Sequence, residues 1–579
     1  MTKYFAALVM FLVAWPSFAA DPNGYTAQYE CRAGNPMCDV DITGIAALPC
    51  DQIVTASDTN WSKITGNPSS RVFCIGPGDH TGKGTLTLTF NGTSEIRKII
   101  RYFSSGDNDN NPWNQSAANQ AKMPKISMNG VNYWIVHRLT FDGITAPAIN
   151  VGSSSASSNI IISRVLMQNL VGSPTSVVGA LQIKSISSFV WLQNSVCRNF
   201  EFEVDLEIGC IYEENSHHLF MVNNESLNVS GADWQDQGGT SASARGSVVE
   251  NNDFYITDAY RTDGAGNQQN DGPRMASKST VSSKRGGSST DPVKIIHNRI
   301  WGKRQSDHNV CCTSIGSGFA FLWSNNDAAD TQHTEYQLVQ NNIVIDSSGG
   351  VNVPRSGPRN NSAIGNIFYL VKNYDAAGRG VFSNTTGASD EYYLNTIIES
   401  DRHLLTNAST NDDFRCTVYI NAGDKSGSLG AGSVFDYNVW YGTTVFTTET
   451  PGNNISNALN TRANSTTYSL NDIIRTTTTP PGDGTAGYFL YVVTTAGTSA
   501  ASPPAYCTTP DCETTDGTMV VTAIRGPYSF KRKLRTVAAG EAVVIPYARV
   551  FSQAPEVSTP FCPATFADRT GIGIDDSKP

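Results

Sequence analysis

The sequence predicts an all-β solenoid, a parallel β-helix wound from short strands, and three observations support this prediction. A pattern of apolar strand, asparagine and second apolar strand returns repeatedly from about residue 130 to residue 440. Successive repeats are mostly separated by twenty-odd to about thirty residues, a period typical of solenoids. Only 16% of the 579 residues are charged and 50 are glycine, as in chains rich in strands and turns.

Residues 1–20 are expected to be a signal peptide. Lys3 supplies a positive charge, residues 5–14 form a short apolar run, and Ser17 and Ala19 offer small side chains at the positions read for cleavage. The run is too short to cross a bilayer, and no later stretch is long and apolar enough. We therefore expect a secreted or periplasmic protein with no transmembrane segment.

The 12 cysteines agree with export, because none lies within residues 1–20 and the mature chain keeps an even number. Several lie near the two ends of the chain: Cys31, Cys38, Cys50, Cys74, Cys507, Cys512 and Cys562. There is no paired CxxC motif, so disulfides are favoured over zinc ligation in an exported protein. The pairing itself stays open.

Aligned on the turn between the two strands, the repeats predict one stacked column of residues. The column contains His137, Ser163, Asn194, Asn224, Asn252, Asn298, Asn342, Asn366, Asn395 and Asn438. Stacked coils are one strand spacing apart, so side-chain amides can hydrogen-bond to the coils above and below. Asparagine also tolerates the left-handed backbone of a tight corner. A β-sandwich, the alternative, would show hairpin turns instead.

These repeats resemble those of the pectate-lyase-like superfamily over somewhat more than half of the chain. Residues 71–103, which begin RVFCIGPGDHTGKG, resemble the first coil of secreted polysaccharide lyases in that group. The resemblance implies a right-handed, single-stranded parallel β-helix over 71–445. A cap at 21–70 would precede it, and a β-rich tail or cap at 446–579 would follow.

Three gaps in the asparagine column are longer than the rest: 252–298, 298–342 and 395–438. The first two are consecutive, so their extra residues, near 258–292 and 303–335, should emerge side by side on neighbouring coils. Such insertions usually line the binding face of a solenoid. We expect them to form a wall or lid over one face.

Basic residues concentrate in these insertions although the whole chain carries a net charge of −10. The residues expected to bind substrate are Arg274, Lys284, Arg285, Lys303 and Trp301. A basic patch on an acidic protein indicates an anionic partner, and an acidic polysaccharide is the natural candidate for a secreted β-helix. Nucleic acid is disfavoured, because the aromatic residues that stack on bases are missing. Solvated loop charges, and packing of Trp301, are the alternatives.

The segment DGPRMASKS at 271–279 resembles the Asp-Gly…Lys segment of calcium-dependent β-helix lyases. The resemblance implies that Asp271 binds Ca²⁺ together with Asp233 and Asp236, and that Lys278 is the base of a β-elimination. Related lyases place an arginine on the following coil. Here the strand at 317–323 has none, so Arg299 or Arg304 is expected to assist.

Two other functions stay open. A β-helix glycoside hydrolase needs clustered aspartates, and the NTD and DD segments typical of that class are missing from the core coils. A non-catalytic carbohydrate-binding or adhesin-type surface protein could share the scaffold. His217, His218 and His297 lie near coil corners and are expected to be packed coil residues. We expect a monomer.

Overall fold

Each coil of the chain contributes strands to three long parallel sheets, called A, B and C in the order in which the chain passes through them. Neighbouring strands in a sheet come from successive coils, and their pairing is parallel throughout. The chain is a right-handed parallel β-helix, which confirms the predicted fold.

This computed structural model describes the following residues: 28–29, 40–42, 44–104, 112–172, 178–200, 208–229, 231–236, 245–256, 274–277, 285–287, 291–302, 319–325, 334–345, 347–353, 360–369, 371, 381–384, 389–398, 400–406, 410–415, 417–420, 431–436, 438–441, 455–457, 459–470, 472–476, 490–507, 512–523, 527–530 and 543–546.

Sheet A contains Gln52–Val54, Val72–Ile75, Lys98–Tyr102, Asn132–His137, Ser158–Ser163, Ser188–Gln193, His217–Val222, Val248–Glu250, Val293–Ile296, Gln337–Gln340, Ser362–Ile364, Glu391–Tyr393, Asp413–Arg415 and Val434–Asp436. Sheet B contains Gly78–Asp79, Ala121–Lys122, Thr140–Asp142, Leu166–Gln168, Val196–Arg198, Glu225–Leu227, Asp253–Tyr255, Arg299–Trp301, Ile343–Ile345, Ile367–Tyr369, Thr396–Ile398, Val418–Ile420, Val439–Tyr441 and Ile455–Asn457. Sheet C contains Leu86–Leu88, Ile126–Met128, Ile149–Val151, Val178–Ile183, Ile208–Glu213, Trp234–Asp236, Arg274–Ser277, Phe319–Asn325, Gly349–Val353, Phe382–Asn384 and Leu404–Thr406.

The described helices are short: Ile45–Ala47, Ser62–Thr65, Thr81–Lys83, Pro112–Asn114 and Ala117–Asn119. Paired strands outside the three sheets are Gln28–Tyr29 with Val40–Asp41, Arg285–Gly286 with Thr334–Glu335, Thr467–Tyr468 with Gly497–Thr498, and Pro527–Phe530 with Val543–Pro546. A five-stranded sheet follows the solenoid and contains Leu459–Thr461, Ile473–Arg475, Leu490–Thr495, Glu513–Asp516 and Met519–Ala523. Among the described residues, no helix is long and apolar enough to cross a bilayer.

The core runs inside the coils because alternate residues of each strand point inward. Trp134 of sheet A, Phe141 of sheet B and Ile149 of sheet C belong to this one buried cluster. Trp61 and Ile64, at the short helix after the first strand, join the same cluster. The apolar residues of the repeats therefore stack into a continuous core, as predicted.

Seven of the ten predicted column residues form a hydrogen-bonded ladder at the corner between sheets A and B. They are Asn224, Asn252, Asn298, Asn342, Asn366, Asn395 and Asn438. Asn298 shows the repeating unit: its Oδ1 accepts the backbone N–H and the side-chain amide of Asn252, and its Nδ2 donates to Val249 O and Asn342 Oδ1. All four hydrogen-bonding positions of the amide are used.

The other three column residues were placed in the wrong register. His137 and Ser163 are strand residues in register with Gln193. Each lies two positions before the ladder position of its coil. Asn194 occupies the left-handed position, with φ 50°, and Ser195 takes the ladder place by accepting Val165 N–H. The third long gap, 395–438, holds a further coil with Thr417 at the ladder position.

A second, shorter ladder lies at the corner between sheets C and A. Asn361, Asp390, Asp412 and Ser433 each accept the backbone N–H of the preceding coil. Asp390 and Asp412 are both fully buried. The sequence analysis missed this ladder.

The three described disulfides join Cys50 to Cys74, Cys197 to Cys210, and Cys507 to Cys512. The preference for disulfides over zinc is confirmed for these six residues. The strands of the three long parallel sheets begin at Gln52 and end at Asn457, whereas the expected interval was 71–445.

Candidate functional site

The outward side chains of sheet A form an apolar column that N-terminal residues cover. The column contains Ile99, Ile135, Ile161, Trp191, Phe220 and Val248, which are successive register partners. They cluster with Val40, Ile45 and Leu48. The Gln193 side chain holds this segment by accepting from Val40 N–H and donating to Val40 O, both at 2.8 Å. This part of sheet A is therefore closed to a ligand.

The outer face of sheet B is partly buried over the middle coils, where the register partners Asp142, Gln168 and Arg198 keep some exposure. Leu166 and Val196 pack against Trp113. On later coils, Asp253 and Arg299 are buried register partners, and Arg299 Nη2 donates to Asp253 Oδ2 at 2.7 Å. Arg299, which we expected to assist catalysis, thus lies in a buried ion pair on sheet B.

Sheet C presents a polar outer column. Its successive register partners are Ser127, Asn150, Gln182, Tyr212 and Gln235. Their strand neighbours, among them Ile149, Leu181 and Trp234, point into the core, so the column residues point outward. The exposure of the column residues decreases along the solenoid axis: Asn150 is partly exposed, whereas Gln235 is 1% exposed. Arg274 occupies the next position of the column.

Two atoms of this polar column are buried without a partner in the described part of the chain. They are the acceptor Asn150 Oδ1 and the donor Gln235 Nε2. A buried polar atom that makes no hydrogen bond costs about 1–3 kcal/mol, and such atoms in a folded protein require an explanation. A hydroxyl-rich ligand along the column would supply both a donor and an acceptor.

A charged pair borders the column at the corner between sheets C and A. Lys184 Nζ lies 3.1 Å from Glu214 Oε2, and the two side chains are 33% and 36% exposed. The same ammonium lies 5.8 Å from the centroid of the Tyr212 ring. A partly exposed pair of this kind contributes at most about 1 kcal/mol, so it can rearrange around a ligand at little cost.

Most of the predicted site residues cannot be placed by their side chains. Outside the described residues lie Lys278, Arg304, Lys284, Lys303 and Asp271. Arg274, Arg285 and Trp301 are placed only as strand positions, on sheet C, in the two-stranded pair and on sheet B respectively. Of these, only Arg274 joins the polar column.

The two long insertions do lie side by side. Arg285–Gly286 from the first pairs in parallel with Thr334–Glu335 from the second, and Gly287 N–H donates to Glu335 O at 2.9 Å. This pair lies between sheets C and A in chain order, at the same corner as the Lys184–Glu214 pair.

Asp233 and Asp236, the predicted calcium ligands that the structure describes, do not open onto the outer face. Ser226 Oγ donates to Asp233 Oδ1 at 2.5 Å, and Ser226 is the register partner of Cys197 in the core. Asp236 follows Trp234 by two residues and therefore shares its inward face. Across the described ranges, no group of three or more His, Cys, Asp or Glu is placed to hold a metal ion. This pair does not fit a calcium site facing substrate, and calcium stays a prediction that depends on Asp271.

The sequence analysis missed Gln182, Tyr212 and Gln235. The available signal was a hydrogen-bonding residue directly after an apolar one in ALQI, CIYE and DWQD, and only in ALQI does a second apolar residue follow to mark the outward position. The number of residues between each of these strands and the next asparagine-ladder residue differs from coil to coil. The ladder therefore does not show which residues of the three strands are in register.

Solved structures with similar coils belong to several kinds of protein. A mannuronic acid specific polysaccharide family 6 lyase from human gut microbiota has a TM-score of 0.42 and 11% identity over 70% of this chain and 91% of that chain. The tailspike protein of E. coli bacteriophage HK620 has a TM-score of 0.41 and 12% identity over 88% and 89%. A GH87 α-1,3-glucanase from Streptomyces thermodiastaticus has a TM-score of 0.36 and 12% identity over 68% and 70%.

No family model and no curated protein matches the chain. At these TM-scores and identities the solved structures carry no information about function. The fold assignment rests on the strand pairing described above.

Proposed function

We propose that this protein is a secreted polysaccharide lyase that binds an acidic, uronate-containing polysaccharide along the outer face of sheet C and cleaves it by β-elimination. The observation that carries the proposal is the uninterrupted polar column from Asn150 to Gln235. Over the same coils the outer face of sheet A is an apolar, covered column, and that of sheet B includes the apolar pair Leu166 and Val196. The amide and phenol groups of the polar column both donate and accept hydrogen bonds, as sugar hydroxyls require.

The repeat of the column suits a repeating polymer. Successive coils are about 4.8 Å apart, so the side chains from Asn150 to Gln235, three coil spacings, extend over about 14 Å. A polysaccharide lying along the solenoid axis would meet an equivalent polar group on each coil. Binding would then be the sum of several modest contacts, which suits an extended chain better than a small molecule.

Charge favours an acidic polymer. The stretch of basic residues predicted to bind substrate begins at Arg274, the register partner of Gln235 in the column. Lys184 lies at the other side of the same column, beside Tyr212. Local positive charge on a chain of net charge −10 attracts anionic ligands to one face.

β-Elimination fits a uronate polymer. A base removes the proton α to the sugar carboxylate, and the electron pair of that C–H bond forms a double bond to the β-carbon. The bond from the β-carbon to the glycosidic oxygen breaks, and that oxygen takes a proton from solvent. A nearby cation stabilises the charge that develops on the carboxylate. Lys278 and Arg304 are the base and cation predicted from the sequence.

The test is to incubate the purified mature protein with pectate, alginate, a glycosaminoglycan and a neutral glucan. Ultraviolet absorbance of the unsaturated product and new reducing ends are measured in parallel, with and without a calcium chelator. We expect absorbance to rise on one acidic polymer and not on the neutral one. New reducing ends without absorbance would instead show a hydrolase, and binding without cleavage would show a carbohydrate-binding protein.

Two substitutions examine the binding face. Asn150→Ala and Gln182→Ala each remove hydrogen bonds to sugar worth about 0.5–1.5 kcal/mol, so together we expect KM to rise about tenfold. Gln340→Ala is the matched control, because Gln340 is on sheet A beside the inward-pointing Val339 and therefore points outward there. Equal KM values for the double variant and the control would overturn the placement of substrate on sheet C.

A further inference from the structure

Three titratable side chains lie in a line at the corner between sheets C and A. His217 Nδ1 and His218 Nδ1 are 2.7 Å apart and share a hydrogen bond. His218 Nε2 lies 3.3 Å from Asp291 Oδ2. Asp291 comes from a coil two turns further along, just before the strand Val293–Ile296. The line therefore crosses the coil that lies between them.

The intervening coil makes room for this contact with a glycine. Gly246 has φ +66°, and a Cβ there would lie 2.7 Å from His218 Nε2 and 2.7 Å from Asp291 Oδ1. Any other residue would push into the gap between the imidazole and the carboxylate. On its other side the His218 ring stacks on Phe189, with centroids 4.8 Å apart. The His218 ring is thus held in one orientation.

The line of contacts assigns the protons. An ionised carboxylate only accepts, so the N–H of His218 is on Nε2, facing Asp291. His218 Nδ1 is then the acceptor, and His217 donates to it from Nδ1. The lone pair of His217 is therefore on Nε2. Among the described residues, no group hydrogen-bonds this nitrogen.

Both rings are neutral near pH 7, as this pattern requires. Burial, with smaller effects from His218 and Arg245, lowers the pKa of His217 to about 4. Burial also lowers the pKa of His218, where Asp291 opposes the shift and Arg245 adds to it. The Lys184–Glu214 pair is the other charged neighbour at this corner.

We propose that Asp291, His218 and His217 form a hydrogen-bonded relay that orients His217, and that His217 Nε2 is the base that removes the substrate proton; this assignment rests on the proposed β-elimination. His217 follows Tyr212 of the polar column by five residues and Glu214 by three. It is partly exposed, as is its register partner Ser188. A polymer on sheet C would have to extend over the corner between sheets C and A for its sugar to reach this nitrogen.

In this reaction one proton leaves the sugar and one proton is added to the leaving oxygen. His217 Nε2 takes the proton α to the sugar carboxylate. The hydrogen bonds from His217 Nδ1–H to His218 Nδ1 and from His218 Nε2–H to Asp291 stabilise the positive charge that forms on His217. His217 Nε2 then releases the proton to solvent, so both imidazoles keep their starting tautomers. The electron pair of the C–H bond forms the double bond, and the leaving oxygen takes a proton from water.

The experiment compares His217→Gln with His297→Gln, a partly buried histidine at the corner between sheets A and B whose Nδ1 lies 3.7 Å from Glu250 Oε1. A general base typically contributes about 10²–10⁴-fold, so we expect His217→Gln to lower kcat at least a hundredfold with little change in KM. His297→Gln should leave kcat unchanged. Gly246→Ala, which separates Asp291 from His218, should lower kcat by a smaller factor.

The pH profile separates the relay from a lysine base. With His217 as the base, kcat/KM should fall only below a pH of about 4 and stay level through neutral pH. With Lys278 as the base, the rate should climb into the alkaline range. Loss of activity in Lys278→Ala but not in His217→Gln would overturn the relay while leaving the lyase proposal intact.

Nitrogen NMR of the imidazoles tests the relay whether or not a substrate is found. We expect His217 protonated on Nδ1 and His218 on Nε2 at neutral pH. Observation of His217 in the opposite tautomer would overturn the proposal. If no polymer is cleaved but the expected tautomers are seen, the proposed lyase function fails, and the role of His217 as its base fails with it.

Discussion

Asn298 offers the most direct test of what holds the coils in register. It is fully buried within the seven-residue ladder, between Asn252 and Asn342. Asn298→Ala removes four hydrogen bonds at once. The variant therefore measures the ladder rather than a single contact.

The magnitude follows from which partners are left unpaired. In Asn298→Ala the backbone N–H of Asn252 and one of its side-chain N–H groups lose their acceptor, at 3.0 and 2.9 Å. Each buried donor left without a partner costs about 1–3 kcal/mol. Val249 O and Asn342 Oδ1 also lose a donor, although Asn342 Oδ1 keeps the backbone N–H of residue 298. We expect a loss of about 4 kcal/mol, a large part of a typical folding free energy.

Two further variants calibrate the result. Ser195 shows that a serine at the ladder position still accepts a backbone N–H, from Val165 at 3.1 Å. Asn298→Ser should therefore lose less stability than Asn298→Ala. Gln340→Ala, on the outer face of sheet A, should lose almost none.

The assay is urea unfolding followed by circular dichroism, with amide hydrogen exchange at Asn252 and Asn342. Because each coil contacts only its neighbours, exchange should rise first at those two coils. A loss below about 1 kcal/mol for Asn298→Ala, or a serine variant weaker than the alanine one, would refute the ladder energetics.

Further substitutions probe two buried carboxylates. Asp390→Ala should destabilise the protein by about 3 kcal/mol in thermal unfolding, because Asn361 N–H and Asn361 Nδ2 would lose the acceptor Asp390 Oδ1, whereas Asp390→Asn keeps that oxygen and should lose less; equal losses for the two variants would contradict this. Asp516→Asn should destabilise the C-terminal sheet by about 3 kcal/mol, seen as faster amide exchange at Val521, because Arg462 would lose its carboxylate partner. Burial opposes ionisation of Asp516, but hydrogen bonds from Arg462, Tyr506 and Ala500 outweigh it and lower its pKa. The ionised Asp516 side chain therefore contributes its full stabilisation above its unfolded pKa, about 4, and this stabilisation is lost as pH falls through the lower folded pKa. If the unfolding free energy of Asp516→Asn fell with decreasing pH as steeply as that of the wild type, this assignment would be wrong.

The ladder could be predicted from the sequence because one corner repeats with one residue type. The error at Asn194 shows the limit of that pattern. The corner between sheets A and B has a left-handed position followed by a ladder position, and asparagine suits both. Asn223 and Asn224 fill the two in order. Where only one of the two is asparagine, the pattern cannot say which position it fills.

The polar column could not be aligned from the sequence, because the chain between sheets C and A varies in length. Gln182 precedes Ser195 by 13 residues, Tyr212 precedes Asn224 by 12, and Gln235 precedes Asn252 by 17. Only the pairing of strands in sheet C brings these three into register. The contact between His218 and Asp291 is still less visible, since 73 positions separate them in the numbering (291 − 218).

The corner between sheets A and B stabilises the stacked coils, and the corner between sheets C and A holds the residues of the proposed chemistry. The corner between sheets A and B is a short turn stabilised on most coils by the same amide, and an insertion there would break the ladder. The corner between sheets C and A tolerates chain of different lengths, and it holds the charged pair, the paired insertions and the two neighbouring histidines. If this division is correct, Asn298→Ala should lower the urea midpoint without changing the tautomer of His217. His217→Gln should lower kcat without changing that midpoint. A variant of either corner that changed both properties would show that the coils act as one unit.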